Sequence, residues 1–517
     1  MAATDEVLMS YVETTTCADS DEWKKSIVSE LESLTANKTW KLVPRPAHQR
    51  PIGCHWVFPL KRDEKGQMIR RKDRLVAKRF LQKHGIDYKE TYAPVAYLNL
   101  IRAKLAKCGA DRFEIERCDI DTAFLNGKLN EEIYMELLEG QRELLALAEA
   151  EGSDGIVCLL LQSLNGLKQG YLVWNETIDK HLKVMDCKAA DADPSVYTKD
   201  EGDDECIVCL YVDDMLIAAK NKATIASAKA GIAEKLKLKD FGCARFVLRI
   251  KIDYNMEGRT LRISQKVYTE SIIKKFRQES AQPCLTPLEA GIHLTKADQP
   301  QTEHDKAKMS TNPNRSLLSR FLENPGQKHR DAGIRVVRYV LKTKDVAITY
   351  DGRQGTELVA YSDADWAGNR DDRRSVSGLM LMMSGAPVLR RSAFQTTVAL
   401  SSTEAEYMAL RDCVKEVVQM RLLLKDIGSG QDDGTVIYED NQGVMALAKN
   451  VGYQARTKHI DVRYHFIREK ITSGEGELES VNTKNQLADY LRKILSTKTL
   501  RYLVVRSNVG SKLETSN

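Results

Sequence analysis

Apolar residues in this chain fall in short runs, and several of those runs stop on acid. Cys206–Val212 and Met215–Ala219 meet at Asp213-Asp214 with no Gly or Pro between them, a pattern that predicts a β-hairpin with acid at its turn. Arg117–Gly127 predicts a strand carrying Asp119 near its end, then a turn at Asn126-Gly127. Leu358–Gly368 predicts a strand ending at Asp363 and Asp365, and Ser401–Leu410 the opening of a helix. Thr435–Asn441 predicts a β-branched strand ending at Glu439-Asp440, and Asn485–Leu491 the start of a late helix. Leu261–Phe276 reads as strand then helix, Thr295–Arg315 as a polar linker, and Leu317–Lys342 returns to helical periodicity.

Two adjacent carboxylates have two readings. Turns favour Asp because its side chain bonds nearby backbone, but a turn of that kind predicts one Asp beside Gly or Asn, not a pair between Val and Met. Carboxylates forced together repel unless they share a cation. Asp119 adds a third acid, and with Asp213 and Asp214 it gives a triad able to hold two Mg²⁺ about 3.5–4 Å apart, the arrangement for in-line phosphoryl transfer. In the second half each acid has a structural alternative. Glu406 stands three residues after Thr403, and Glu404 three after Ser401, so either can complete a capping box. Asp489 can favour a helix first turn, and Asp365 competes with Asp363 as the strand-end acid.

Composition narrows the class. A chain of 517 residues with 42% hydrophobic content holds more than one core. No run of about 18 apolar residues and no apolar signal-peptide core is present, which argues against membrane insertion and secretion. The 11 cysteines form no regular framework and read as reduced core residues of an intracellular protein. The net charge of +5 is too mild to name a ligand. Its distribution says more: from Lys61 to Lys83 ten basic residues stand against three acids, on two strands about an Asp63–Gly66 turn, a concentration suited to phosphate.

These motifs resemble the reverse transcriptase of copia-type LTR retrotransposons. The resemblance runs through Lys38–Pro44, Pro51–Phe58, Arg74–Lys78, Asp119, Gly166-Leu167-Lys168-Gln169, Asp193–Tyr197 and Tyr211-Val212-Asp213-Asp214. It continues through Leu358–Gly368, Asp371–Ser375, Ser401–Leu410, Thr435–Asn441, Thr457–Asp461 and Asn485–Leu491, which resemble the ribonuclease H domain of the same elements. It implies an α+β chain: polymerase fingers and palm with an antiparallel palm sheet, followed by a ribonuclease H-like mixed-sheet α/β domain. The boundaries expected are an N-terminal tail at 1–19, fingers and palm at 20–270, a shortened thumb or connection with linker at 271–350, a ribonuclease H-like domain at 351–500 and a C-terminal tail at 501–517.

The implied activity is RNA-templated DNA synthesis with hydrolysis of RNA in the hybrid, using Mg²⁺ or Mn²⁺, dNTPs, an RNA template, a DNA primer and the RNA–DNA hybrid. Catalytic and metal residues would be Asp119, Asp213, Asp214, Asp363, Glu406, Asp440 and Asp489. Nucleotide contacts would come from Lys72, Arg74, Phe124, Lys168 and Gln169, with Phe124 excluding the 2′-OH. The implied location is a cytoplasmic particle or the nucleus. Departures from the family are also plain. Gly170-Tyr171-Leu172-Val173-Trp174 stands where Ala-Pro-Arg-Ala-Trp is expected, a segment between Lys308 and Leu317 is missing, and Arg492 and Ile494 replace smaller residues. Together these lead to the expectation of a truncated or degenerate copy, with a catalytically inactive nucleic-acid-binding relic as the alternative.

Overall fold

The computed structural model describes residues 4–7, 11–17, 19–62, 68–71, 73–137, 155–201, 204–289, 291–300, 302, 324–449 and 461–510. Lys72, the Asp63–Gly66 turn, the tract between Lys308 and Leu317, and His459 lie outside them. The chain divides into two compact units, residues 1–96 with 115–249 and residues 97–114 with 250–517.

In the first unit the helix Ser20–Ala36 begins with Asp21 and Glu22, which complement the positive helix end. Its buried residues Trp23, Ile27, Leu31 and Leu34 recur every three or four positions and so form one face. That face packs on the strand Cys54–Arg62, where the Trp23 ring meets Phe58 edge-on at 5.5 Å. Cys54–Arg62 pairs antiparallel with Met68–Arg71 and Arg74–Ala77, so the basic run is carried on facing strands. The segment expected as an N-terminal tail also contributes: Thr4–Val7 pairs with Cys54–Arg62, Val7 opposite Phe58.

That unit also holds a three-stranded sheet, Trp40–Pro44, Ile156–Gln162, Lys128–Met135, and a six-stranded one in the order Leu238–Cys243, Glu114–Ile120, Asp214–Ala219, Asp204–Tyr211, Val196–Glu201, Lys188–Ala189. Met215, Ile217 and Ala219 alternate along their strand and pack, with Cys118 and Ile120, against Trp174, Ile178 and Leu182 of the helix Gly170–Val184 and Ile225, Ala228 and Ile232 of Lys222–Ala233. Burying period-2 strands under period-3.6 helices makes this sheet a rigid platform for whatever stands at its strand ends. The cysteines are free and most are buried, and burial pushes the thiols of Cys54, Cys118 and Cys158 up to about 12.

The second unit contains two sheets. Ile250–Asn255, Thr260–Ser264, Ala347–Asp351 and Val509–Gly510 pair in that order, under the helix Leu98–Asp111. Residues 501–510, expected as tail, thus close a sheet edge and extend the helix Thr497–Arg506, whose Leu503 is buried. The other sheet runs Ala386–Phe394, Val376–Met383, Val359–Ala364, Thr435–Glu439, Gly476–Ser480. Its first three strands are antiparallel and its last two parallel to their neighbours. Parallel neighbours require a crossover; the helix Ser402–Asp426 lies within it and packs on Val359–Ala364. The α+β class, with an antiparallel palm sheet and a ribonuclease H-like mixed sheet, is the architecture observed.

Gly166 shows how tightly the first unit is closed. Its φ is +89°, and a Cβ there would run into the Ala77 carbonyl and the Val76 side chain. Gly166→Ala should therefore cost about 2 kcal/mol or more, read as a lower denaturation midpoint by tryptophan fluorescence. Gly155→Ala, where a Cβ meets nothing within 4 Å, should leave that midpoint unchanged.

Candidate active site

The hairpin forms where expected, as Asp204–Tyr211 and Asp214–Ala219 with Tyr211 opposite Asp214. Its two-residue turn is Val212-Asp213, and Asp214 is the first residue of the returning strand. Val212 has φ of 58°, a conformation that a β-branched residue adopts only at a cost of about 1–3 kcal/mol. The turn is held from outside: the buried Trp174 donates its Nε1–H to the Val212 carbonyl at 2.7 Å. A strained turn held by an indole presents Asp213 at a fixed point. The strand of Asp119 adjoins the turn, since Ile120 N–H donates to the Asp213 carbonyl at 2.9 Å, but Asp119, Asp213 and Asp214 do not bring three ligand oxygens together as the expected triad would.

The two hairpin carboxylates differ. Asp214 is buried and accepts from Arg117 Nε and Nη2 at 3.1 and 2.6 Å, and the Arg117 guanidinium also lies 4.8 Å from the Phe241 ring centre. Arg117 and Asp119 are two apart on one strand and share a face; that spacing was the available signal for Arg117, which sequence reasoning passed over, as it did Trp174. Asp213 is half-buried, and no ion pair involves it among the described residues. The Arg117 guanidinium already supplies positive charge to Asp214.

The expected nucleotide contacts are spread around this centre. Phe124 packs edge-on against Tyr171 at 5.0 Å at the margin of the core. Lys168 donates to Tyr88 Oη at 3.0 Å and lies over that ring, and Gln169 is buried with its amide donating to the Asp87 carbonyl at 2.7 Å. Both thus brace the 82–88 loop. Arg74 is half-buried on its strand, opposite Val57.

A second centre stands at the ends of the mixed sheet. Asp363 from Val359–Ala364, Glu406 from the long helix and Asp440 after Thr435–Glu439 bring ligand oxygens within 4.8 Å of one another, the one such group among the described residues. The capping alternatives separate cleanly. Glu404 serves the helix start, accepting from Leu400 N–H while Ser401 Oγ accepts from Glu404 N–H, whereas Glu406 turns inward and accepts from Ala364 N–H. Asp365 accepts from Val376 N–H at 2.7 Å and so serves the backbone. Asp440 accepts from Thr483 Oγ1 at 2.8 Å.

Asp489, buried at the start of the short helix Asp489–Arg492, is paired with Lys493 and lies 3.5 Å from Arg492 Nη2. Arg492 also donates through Nε and Nη2 to both oxygens of Asp363. Burial pushes the Glu406 carboxyl up to about 10, with the Asp363 and Glu439 charges adding to it. Burial raises Asp363 to about 7 in spite of Arg492, and raises Glu439, which is fully buried with one oxygen unpartnered. Carboxyls held protonated this way ionise together only beside added positive charge. The donor set, all hard oxygen, fits a divalent cation such as Mg²⁺ or Mn²⁺. Glu439 was passed over because its neighbour Asp440 carried the motif.

Residues 37–290 match the family model described as reverse transcriptase (RNA-dependent DNA polymerase). The retrovirus-related Pol polyprotein from transposon TNT 1-94 of Nicotiana tabacum is 37% identical over 499 residues, covering 92% of this chain and 37% of that one. The chain belongs to the copia-type retrotransposon Pol polyproteins. The polyprotein from transposon RE1 of Arabidopsis thaliana is 32% identical over 492 residues, 92% of this chain and 33% of its own length. The copia-type chain thus spans about a third of the length of these curated relatives. A foamy viral protease-reverse transcriptase in complex with RNA/DNA hybrid is similar at 12% identity and a TM-score of 0.44, over 89% of this chain and 54% of that one.

Trp174 allows a direct test of the turn. Trp174→Phe keeps most of the ring but leaves the Val212 carbonyl without its donor, at a cost of about 1–2 kcal/mol. The variant should melt lower. Unaltered melting would show that the indole does not hold the turn.

Proposed function

We propose that this chain is an RNA-directed DNA polymerase with ribonuclease H activity. What supports the reading is that the strand carrying Asp119 adjoins the acidic turn, joined by the Ile120 N–H to Asp213 carbonyl bond at 2.9 Å. Asp119 and Asp213 would hold Mg²⁺ or Mn²⁺, with Asp214 supporting the turn through Arg117. Bound divalent metal activates the attacking oxygen and steadies the leaving phosphate. The residues of the chain do the positioning. The basic strands about Arg74, with Lys72, would draw the triphosphate and the template backbone. Phe124 would meet the sugar and exclude a 2′-OH by clash. Lys168 and Gln169 would act by keeping the 82–88 loop against the nucleotide side.

The second centre would cut RNA in the hybrid, with Asp363, Glu406, Asp440 and Asp489 holding metal and Glu439 adding charge behind them. Substrates would be dNTPs, an RNA template, a DNA primer and the resulting hybrid, in a cytoplasmic particle or the nucleus. A catalytically inactive relic has one observation in its favour: the Arg492 guanidinium lies within the second acid set.

The two centres should be separable in the full chain. Asp213→Asn should reduce primer extension on an RNA template by orders of magnitude while primer–template affinity stays near that of the unaltered chain. Asp440→Asn should stop hybrid cleavage at high Mg²⁺ and leave extension intact. Extension at the unaltered rate by Asp213→Asn would overturn the assignment of the first centre.

A further inference from the structure

The second centre holds a cation of its own. Arg492 ends the four-residue helix Asp489–Arg492, and the i, i+3 spacing sets its side chain on the face of Asp489. Its Nε and Nη2 take both oxygens of Asp363, a bidentate pairing that leaves neither oxygen of that carboxylate to itself. The guanidinium is 7% exposed and Asp363 is fully buried. Lys493 Nζ stands 3.6 Å from Asp363 and pairs with Asp489, so two basic side chains serve the same two acids.

Gly378 lies opposite Asp363 on the neighbouring strand, and a Cβ there would crowd the Ala488 carbonyl at 3.0 Å, so the turn that leads into Asp489–Arg492 sits close on this strand. On the sequence alone Arg492 was merely a larger residue than the family carries. Its placement gives it a role.

We propose that Arg492 is an internal counter-cation that competes with divalent metal for Asp363 and Asp489, so that the second centre loads metal only when the guanidinium leaves. The inference rests on reading that centre as a metal site. Metal and guanidinium satisfy the same electrostatic demand, and both cannot take the two Asp363 oxygens at once. The unaltered chain therefore binds metal weakly at this centre, whatever the first centre does.

The test is Mn²⁺ binding by calorimetry on the full chain, with thermal unfolding followed in parallel. Four proteins are compared: unaltered, Arg492→Ser, Arg492→Lys, and Arg492→Ser with Asp363→Asn. Arg492→Ser should gain Mn²⁺ affinity by about 10–100-fold at a site that the added Asp363→Asn abolishes. Its melting temperature, lowered without metal by the unpaired Asp363, should recover with Mn²⁺, while that of the unaltered chain hardly responds. Arg492→Lys keeps the charge but cannot chelate both oxygens, so it should fall between; it also serves if the Ser variant does not fold. Equal Mn²⁺ affinity at an Asp363-dependent site with and without Arg492 would overturn the competition and leave the metal reading standing. A folded Arg492→Ser chain with no Asp363-dependent Mn²⁺ site would overturn the metal reading and the proposal with it.

Discussion

Carboxylates gathered in a buried place repel one another and lose their hydration, so something positive must be supplied before they can all be charged. Both centres of this chain are organised around that demand. In the first, Arg117 neutralises Asp214, beside the half-buried Asp213 at the turn. In the second, Arg492 and Lys493 attend to Asp363 and Asp489, while Glu406 and Glu439 are pushed toward their neutral forms by burial. The difference between the centres is which acids the protein's own cations have already taken.

Holding such groups in place needs a stiff support, and the support differs as well. The first centre stands on a strained turn, with Val212 in a left-handed conformation fixed by Trp174 from a packed helix. The second is assembled from the ends of separate elements, in which Glu406 is aimed inward while Glu404, two residues earlier, serves the helix start. The parallel pairing of Val359–Ala364 with Thr435–Glu439 brings Asp363 and Asp440 to the same end of the sheet. An antiparallel pairing of those strands would send the two acids to opposite ends.

Much of this was legible in the sequence because the motifs are local. An uninterrupted apolar run on each side of Asp213-Asp214 leaves little but a hairpin, and Ser401 before an apolar helix marks its start. What escaped was long-range. Nothing in the order of residues says that Arg117 turns to Asp214, that Trp174 reaches the Val212 carbonyl, or that Thr4–Val7 and Val509–Gly510 complete sheets rather than trail as tails. Leu98–Asp111, expected within the palm, packs on strands some 150 or more residues later. Arg492 was visible as an odd residue, but its pairing with Asp363, 129 residues away in the chain, only the assembled sheet reveals.

The central claim is that each acid group is a divalent-metal centre and that a guanidinium stands in the second. Anomalous diffraction at the manganese edge, from crystals of the full chain soaked in Mn²⁺, addresses it directly. The account predicts anomalous density against Asp119 and Asp213 in the unaltered chain, and none beside Asp363 while Arg492 is bound to it. Density beside Asp363 with the guanidinium still in place would contradict the account, as would Mn²⁺ bound elsewhere on the chain and absent from Asp119 and Asp213.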